Sequence, residues 1–136
     1  MRVFFDTNVL VSAFATRGLC SELFEVVLLE HELIVGDNVL RELSKALQQK
    51  IKLPQRDCAA IVAFITDQAA EVVERSQPIS AAVDKDDAII LGEAAGGRAD
   101  AFVTGDAHVL TLRHIEGLQI ISPRAFWEVL QVQKSP

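Results

Sequence analysis

The chain of 136 residues predicts an α/β fold: a three-layer α/β/α sandwich around a central parallel sheet of about five strands. Three observations predict it. Strand-like and helix-like segments alternate along the whole chain. The strand-like segments are short, continuous apolar runs, as expected where both faces of a sheet are covered. Half of the residues are hydrophobic and 24% are charged, which suits one packed domain over residues 1–136 with its core at about 2–130.

The elements follow in order. Arg2-Val3-Phe4-Phe5 reads as the first strand and stops at Asp6-Thr7-Asn8. Ser21 to Glu30 sets Leu23, Phe24, Val27 and Leu28 at helical spacing. Leu33-Ile34-Val35 is a second strand, closed by Gly36-Asp37. Asn38 is placed to cap a helix through Gln48, with Val39, Leu40, Leu43 and Leu47 on one face. Gln55 to Ala70 repeats the helical period through Cys58, Ile61 or Val62, Ile65 and Ala69. Glu71 to Glu74 is the third strand. Asp84 to Asp87 precede an apolar helical run, Ala88 to Ala95, ended by Gly96-Gly97. Ala101 to Thr104 is the fourth strand, stopped at Gly105-Asp106, and Val109 to Arg113 is a helical turn. Leu118 to Ile121 is the fifth strand. Ser122-Pro123 opens a last helix through Leu130, with Phe126-Trp127 packing it, or a partner, rather than stacking on a base. Right-handed crossovers then bring the C-terminal ends of all strands to one edge, where ligands bind in such sheets.

Composition removes several classes. No apolar run approaches the ~20 residues of a membrane span. The start, Met1-Arg2-Val3-Phe4-Phe5-Asp6, lacks the apolar stretch and cleavage site of a signal peptide, so a cytoplasmic location is expected. Cys20 and Cys58 stand apart from each other and from any histidine at ligand spacing, and make neither a disulfide framework nor a zinc site. His31, His108 and His114 are isolated. A net charge of −6 argues against holding nucleic acid by a dominant positive field. It is compatible with an enzyme whose active-site acids themselves lower the charge.

The placement of those acids carries the functional reading. Asp6 directly follows the first strand, and Asp106 follows the fourth after Thr104-Gly105. Asp84, Asp86 and Asp87 stand at the start of the helix after the third strand. Glu42 lies one turn into the helix after the second. Each alone is compatible with a helix cap or a solvated face. Together they meet at one rim, and charges 4 Å apart repel by about 4 kcal/mol at an effective dielectric near 20. Such a cluster asks for protons or cations, and its oxygen ligands select Mg²⁺ or Mn²⁺ over zinc. A divalent ion in an acidic cleft serves phosphoryl chemistry.

At these residues the chain resembles PIN domains. Phe5-Asp6-Thr7-Asn8-Val9-Leu10 resembles their opening motif, and Val39-Leu40-Arg41-Glu42-Leu43 the second, which contributes a glutamate. Asp84-Lys85-Asp86-Asp87-Ala88-Ile89-Ile90-Leu91 is similar to the third motif and Val103-Thr104-Gly105-Asp106 to the fourth. Ile121-Ser122-Pro123-Arg124-Ala125-Phe126 resembles the closing segment of the branch that holds toxins of toxin–antitoxin systems. The resemblance implies a PIN-like fold and a Mg²⁺- or Mn²⁺-dependent endoribonuclease acting on RNA. It further implies a small antitoxin as partner and a homodimer as a common assembly, while the lack of a long apolar run gives the expectation of no membrane. It makes Asp6, Glu42, Asp87 and Asp106 the acidic quartet, both as metal ligands and as catalytic residues. Asp84 stands in reserve for Asp87, and Asn8 and Thr104 support the site by hydrogen bonds. Hydrolysis would be in-line, with no covalent enzyme intermediate. The fourth motif departs from the branch at His108, where another aspartate is common. Lys45, Lys50, Lys52 and Arg56, with Arg17 in the loop after the first strand, are the local basic residues that can meet phosphates.

Rival readings differ at named positions. A phosphatase of the haloacid-dehalogenase type needs a second aspartate where Asn8 stands. A receiver domain wants an acidic pair after the first strand and a lysine after the fifth, where Ser122-Pro123 follows. A degenerate PIN domain that binds RNA or protein without catalysis keeps the fold but not the chemistry.

Overall fold

The computed structural model describes residues 1–81 and 83–134; Ala82, Ser135 and Pro136 lie outside the described residues. Among the described residues thirteen elements follow one another. β1 (Arg2–Phe5) leads into α1 (Thr7–Ala15) and α2 (Leu19–Glu30), then β2 (Glu32–Gly36), α3 (Asp37–Gln49), α4 (Gln55–Gln68) and β3 (Glu71–Val73). After β3 come α5 (Lys85–Gly96), β4 (Ala101–Val103), α6 (Ala107–Leu110), β5 (His114–Ile115), β6 (Leu118–Ile121) and α7 (Pro123–Lys134).

The sheet has six strands in the order β3-β2-β1-β4-β6-β5. Every pairing is parallel except β5 with β6. The chain thus steps outward from β1 through β2 to β3, and α5 carries it back across to β4 on the far side of β1. The order reverses between β1 and β4, and in doubly wound sheets the crevice outside such a reversal is the binding edge.

Side-chain alternation along β1 shows the two covered faces. Phe5 meets Phe24 of α2, ring centroids 6.1 Å apart. Arg2, on the opposite face, donates from Nε and Nη2 to Gly97 O at the end of α5. Phe4 shares that face, stacked on Phe102 of β4 at 5.6 Å. Its register partner Ile34 lies where a Cβ on Gly97 would collide with it, so the glycine permits close helix–sheet packing. The core is the set of continuous apolar runs, with Phe4, Phe5, Phe102, Leu33 and Ile34 at 2% exposure or less. α7 packs on α2 through buried Phe126 and Leu130, and its first turn is capped by Ser122 Oγ, which accepts from Ala125 N at 3.2 Å.

Four sequence expectations need correction. The sheet has six strands and not five: Glu116 and Gly117, both at positive φ, turn the chain so that His114-Ile115 pairs antiparallel with β6, as two-residue hairpin turns require. The segment after Asp6 is a helix, α1. Its apolar Val9, Leu10 and Val11 fall on consecutive positions and hide the helical period, and packing on α2 and α3 decides the matter. Asn38 is not the cap of α3. The helix starts at Asp37 behind Gly36, which has no side chain to offer, and the acceptor comes from elsewhere in the chain. The turn expected at Val109 to Arg113 lies earlier, at Ala107–Leu110, where the Asp106 carboxylate starts it.

Candidate active site

The end of β1 is fixed by backbone bonding: Asp6 N donates to Val103 O at 2.9 Å, which continues the β1–β4 ladder past Phe5. The Asp6 side chain then caps α1, Oδ1 accepting from Thr7 N at 2.8 Å. Its other oxygen, Oδ2, accepts from Thr104 Oγ1 at 2.7 Å. Thr104 is fully buried, and the same hydroxyl accepts from Asp106 N at 3.1 Å. One threonine therefore sets the spacing of the two aspartates across the β1–β4 reversal. Asp106 is more exposed; its Oδ1 accepts from His108 N at 2.8 Å and Val109 N at 3.1 Å and so starts α6.

The second wall is α3. Its buried stripe, Val39, Leu40, Leu43, Ala46 and Leu47, faces the core. The opposite stripe, at spacings of three and four, presents Asn38, Arg41, Glu42, Lys45 and Gln49 to the site. Glu42 Oε1 accepts from Thr7 Oγ1 at 2.8 Å, so the residue after Asp6 ties α3 to the start of α1. The third wall is the start of α5, where Asp84 Oδ1 accepts from Asp87 N at 2.9 Å as the N-cap. Asp87 sits one turn in.

Asp6, Glu42, Asp84, Asp86, Asp87 and Asp106 all line one cavity of about 780 Å³, together with Asn8, Arg41, Lys45 and Lys50. Burial raises the Asp6 pKa above its ordinary value, against hydrogen bonds from Thr104 and Thr7, and the Asp106 charge adds to the rise. Burial likewise raises Glu42, against the Thr7 hydrogen bond, with help from Asp6, Asp86 and Asp84. Asp87 is pushed up to about 6 by burial and then by Asp84, Asp106 and Asp6. Four separate chain segments therefore feel one another's charge.

These residues suit a hard divalent cation. The donors are carboxylate oxygens, and no lysine or arginine among the described residues forms an ion pair with Asp6, Glu42, Asp87 or Asp106. Among the described residues no three acidic, histidine or cysteine side chains stand close enough to ligate one ion as they are placed.

Of the other residues singled out from sequence, Lys45 and Lys50 reach the cavity, whereas Lys52, Arg56 and Arg17 are exposed and do not line it. Arg56 stands 4.0 Å from Asp57. Arg41 was not anticipated. Nor was Glu93, which is 1% exposed. Its Oε2 accepts from Asn38 N at 2.7 Å and Asn38 Nδ2 at 3.1 Å, and its Oε1 from Val39 N at 3.1 Å. This is the missing cap of α3. A Cβ on Gly36 would overlap the Glu93 carboxylate, so glycine is what lets the acid reach the helix end. Burial raises the Glu93 pKa, against its hydrogen bonds to Asn38 and Val39. The available signal was a single acid inside the apolar run Ile89-Ile90-Leu91-Gly92-Glu93-Ala94-Ala95.

Comparison with known proteins agrees with the fold. A family model described as PIN domain matches residues 2–108. No curated protein matches the chain. Among solved structures, the crystal structure of VapBC2 from Rickettsia felis bound to a DNA fragment from their promoter is similar, with a TM-score of 0.62 at 14% identity. The match covers 90% of this chain and 98% of that one, and at this identity the likeness is one of fold.

Proposed function

Because the chain belongs to the PIN domain family, we propose that it is a metal-dependent endoribonuclease, the toxin of a toxin–antitoxin pair. The observation that carries this reading is the convergence of acids from four chain segments on one cavity at the reversal of the sheet. Asp6, Asp87 and Asp106, with Glu42 completing the set, would hold Mg²⁺ or Mn²⁺. When bound, the ion would activate water and stabilise charge on the phosphoryl oxygens. The chain's own contribution is placement. Thr104 and Thr7 fix both oxygens of Asp6, Thr7 orients Glu42, and Arg41, Lys45 and Lys50 on the α3 wall meet the RNA backbone. The solved relative carries the compound name VapBC2, which supports a small antitoxin as partner. A homodimer is the companion proposal. No helix among the described residues is long and apolar enough to cross a membrane.

The test is RNA cleavage with Mn²⁺ and with EDTA, in the native chain and in Asp6→Asn. Asparagine keeps the helix cap but removes a charge from the cavity. Cleavage is expected to fall at least about a hundredfold, by analogy with the loss of other single transition-state contacts, while the melt is retained. Full activity in Asp6→Asn, or in EDTA, overturns the assignment. RNA binding by a native chain that never cleaves would select the non-catalytic binding module instead.

A further inference from the structure

A second hollow, of about 450 Å³, lies beside the acid-lined cavity. Its walls are residues 74–78, the segment leaving β3, together with Asn38 and Ile89, and these last two also line the first cavity. Asn38 and Ile89 thus border both hollows. The amide is held at both ends: Asn38 Nδ2 donates to Glu93 Oε2 at 3.1 Å, and Oδ1 accepts from Arg41 Nη1 at 2.9 Å. The outer wall is held as well. Ile79 N donates to Ala88 O at 3.0 Å, and Gly92 of α5 lies so close to Gln77 O that a Cβ there would overlap it. A hollow with fixed walls needs little reorganisation on binding.

The charge pattern runs across this border. Arg41, Lys45 and Lys50 stand on the α3 side, and Arg75 stands on the far side of Asn38. None of these four is in an ion pair among the described residues. The acids between them face the first cavity. A polyanion laid along α3 and over Asn38 meets cations on either side of the acids.

We propose that the second hollow is a nucleotide subsite, which takes the base and phosphate adjoining the phosphodiester held at the acids; this rests on the ribonuclease reading above. The volume is within the range of small-ligand sites. Arg75 suits a phosphate or an acceptor edge of a base. Glu74 accepts from an exocyclic amine, and the Gln77 amide both donates and accepts. Pro78 and Ile89 offer apolar surface to the ring of an unstacked base, the form in which single-stranded RNA is read. Glu74, when ionised, accepts from an exocyclic amine or from the ring N–H of uracil alike, so the base preference rests on Arg75 and Gln77.

The experiment uses the full chain with Arg75→Ala and Gln77→Ala combined; both positions are exposed, and a melt checks the fold. Binding of labelled single-stranded RNA of about eight nucleotides is measured with Mn²⁺ in an Asp6→Asn background, and cleavage of a randomised RNA is sequenced in the native background. The expected result is binding weakened roughly tenfold, the loss of one bidentate contact, and a lost base preference at one position beside the cut. Mn²⁺ affinity, measured without RNA, stays within about twofold, which a general disturbance of the site would not allow. If the native chain cleaves RNA and the double variant binds and selects bases as before, the subsite falls and the ribonuclease reading stands. If no cleavage is found but binding still depends on Arg75 and Gln77, the subsite stands and the ribonuclease reading falls. Failure of the Asp6→Asn chain to bind RNA at all overturns the subsite.

Discussion

Thr104→Val tests the tie between the two aspartates. Valine has nearly the shape of threonine, so the fully buried position stays filled while two hydrogen bonds are lost. One is the donation to Asp6 Oδ2 at 2.7 Å; hydrogen bonds to charged groups contribute about 1.5–3 kcal/mol. The other is the acceptance from Asp106 N at 3.1 Å, whose loss leaves a part-buried N–H unpartnered at a cost of about 1 kcal/mol or more. A total near 3 kcal/mol is expected where Asp6 is ionised, lowering Tm by roughly 10 °C in a chain of this size. The pH dependence has a definite sign. Thr104 favours the carboxylate over the carboxyl, so its loss raises further a pKa that burial already holds above the ordinary value. The destabilisation is fullest above that pKa and shrinks as pH falls through it, toward the ~1 kcal/mol of a neutral bond. The assay is thermal and urea unfolding in EDTA at about pH 8 and about pH 4, with linear extrapolation of the urea data. A variant as stable as the native chain at high pH, or one losing more at low pH than at high, refutes the role given to Thr104.

Two further outcomes follow from the same geometry. Glu93→Ala removes one acceptor from three donors at the start of α3 and leaves a cavity, and should cost about 3–5 kcal/mol; urea unfolding reads this, and a loss below about 1 kcal/mol would mean that α3 is capped in another way. Asp87→Asn removes a charge that the folded chain disfavours, since the Asp87 pKa stands at about 6 against an ordinary 3.8. In EDTA the substitution should therefore raise Tm increasingly as pH climbs from the ordinary value through 6, and change nothing below about pH 4. The opposite slope would show that Asp87 is stabilised as an anion without any cation.

The sequence by itself determined the layers and the positions of the acids. Val3-Phe4-Phe5, Leu33-Ile34-Val35 and Leu118 to Ile121 are continuous apolar runs, which in a chain of alternating elements suit strands buried on both faces. Asp6 and Asp106, which follow the first and fourth strands, had to fall at one edge. The helix after Asp6 was not legible, because its consecutive Val9, Leu10 and Val11 suit a strand as well as a helix locally, and contacts with α2 and α3 choose between them. The tertiary structure alone decided the strand order, and with it the pairing of Asp6 with Asp106 through Thr104, two hydrogen-bonded residues 98 positions apart. It alone placed Glu93 against the start of α3, across 55 positions from Asn38, and set a second hollow behind that asparagine. Periodicity reports what a residue does to its near neighbours along the chain. Partners chosen across such separations depend on which surfaces the whole core brings together, and no local pattern encodes that choice.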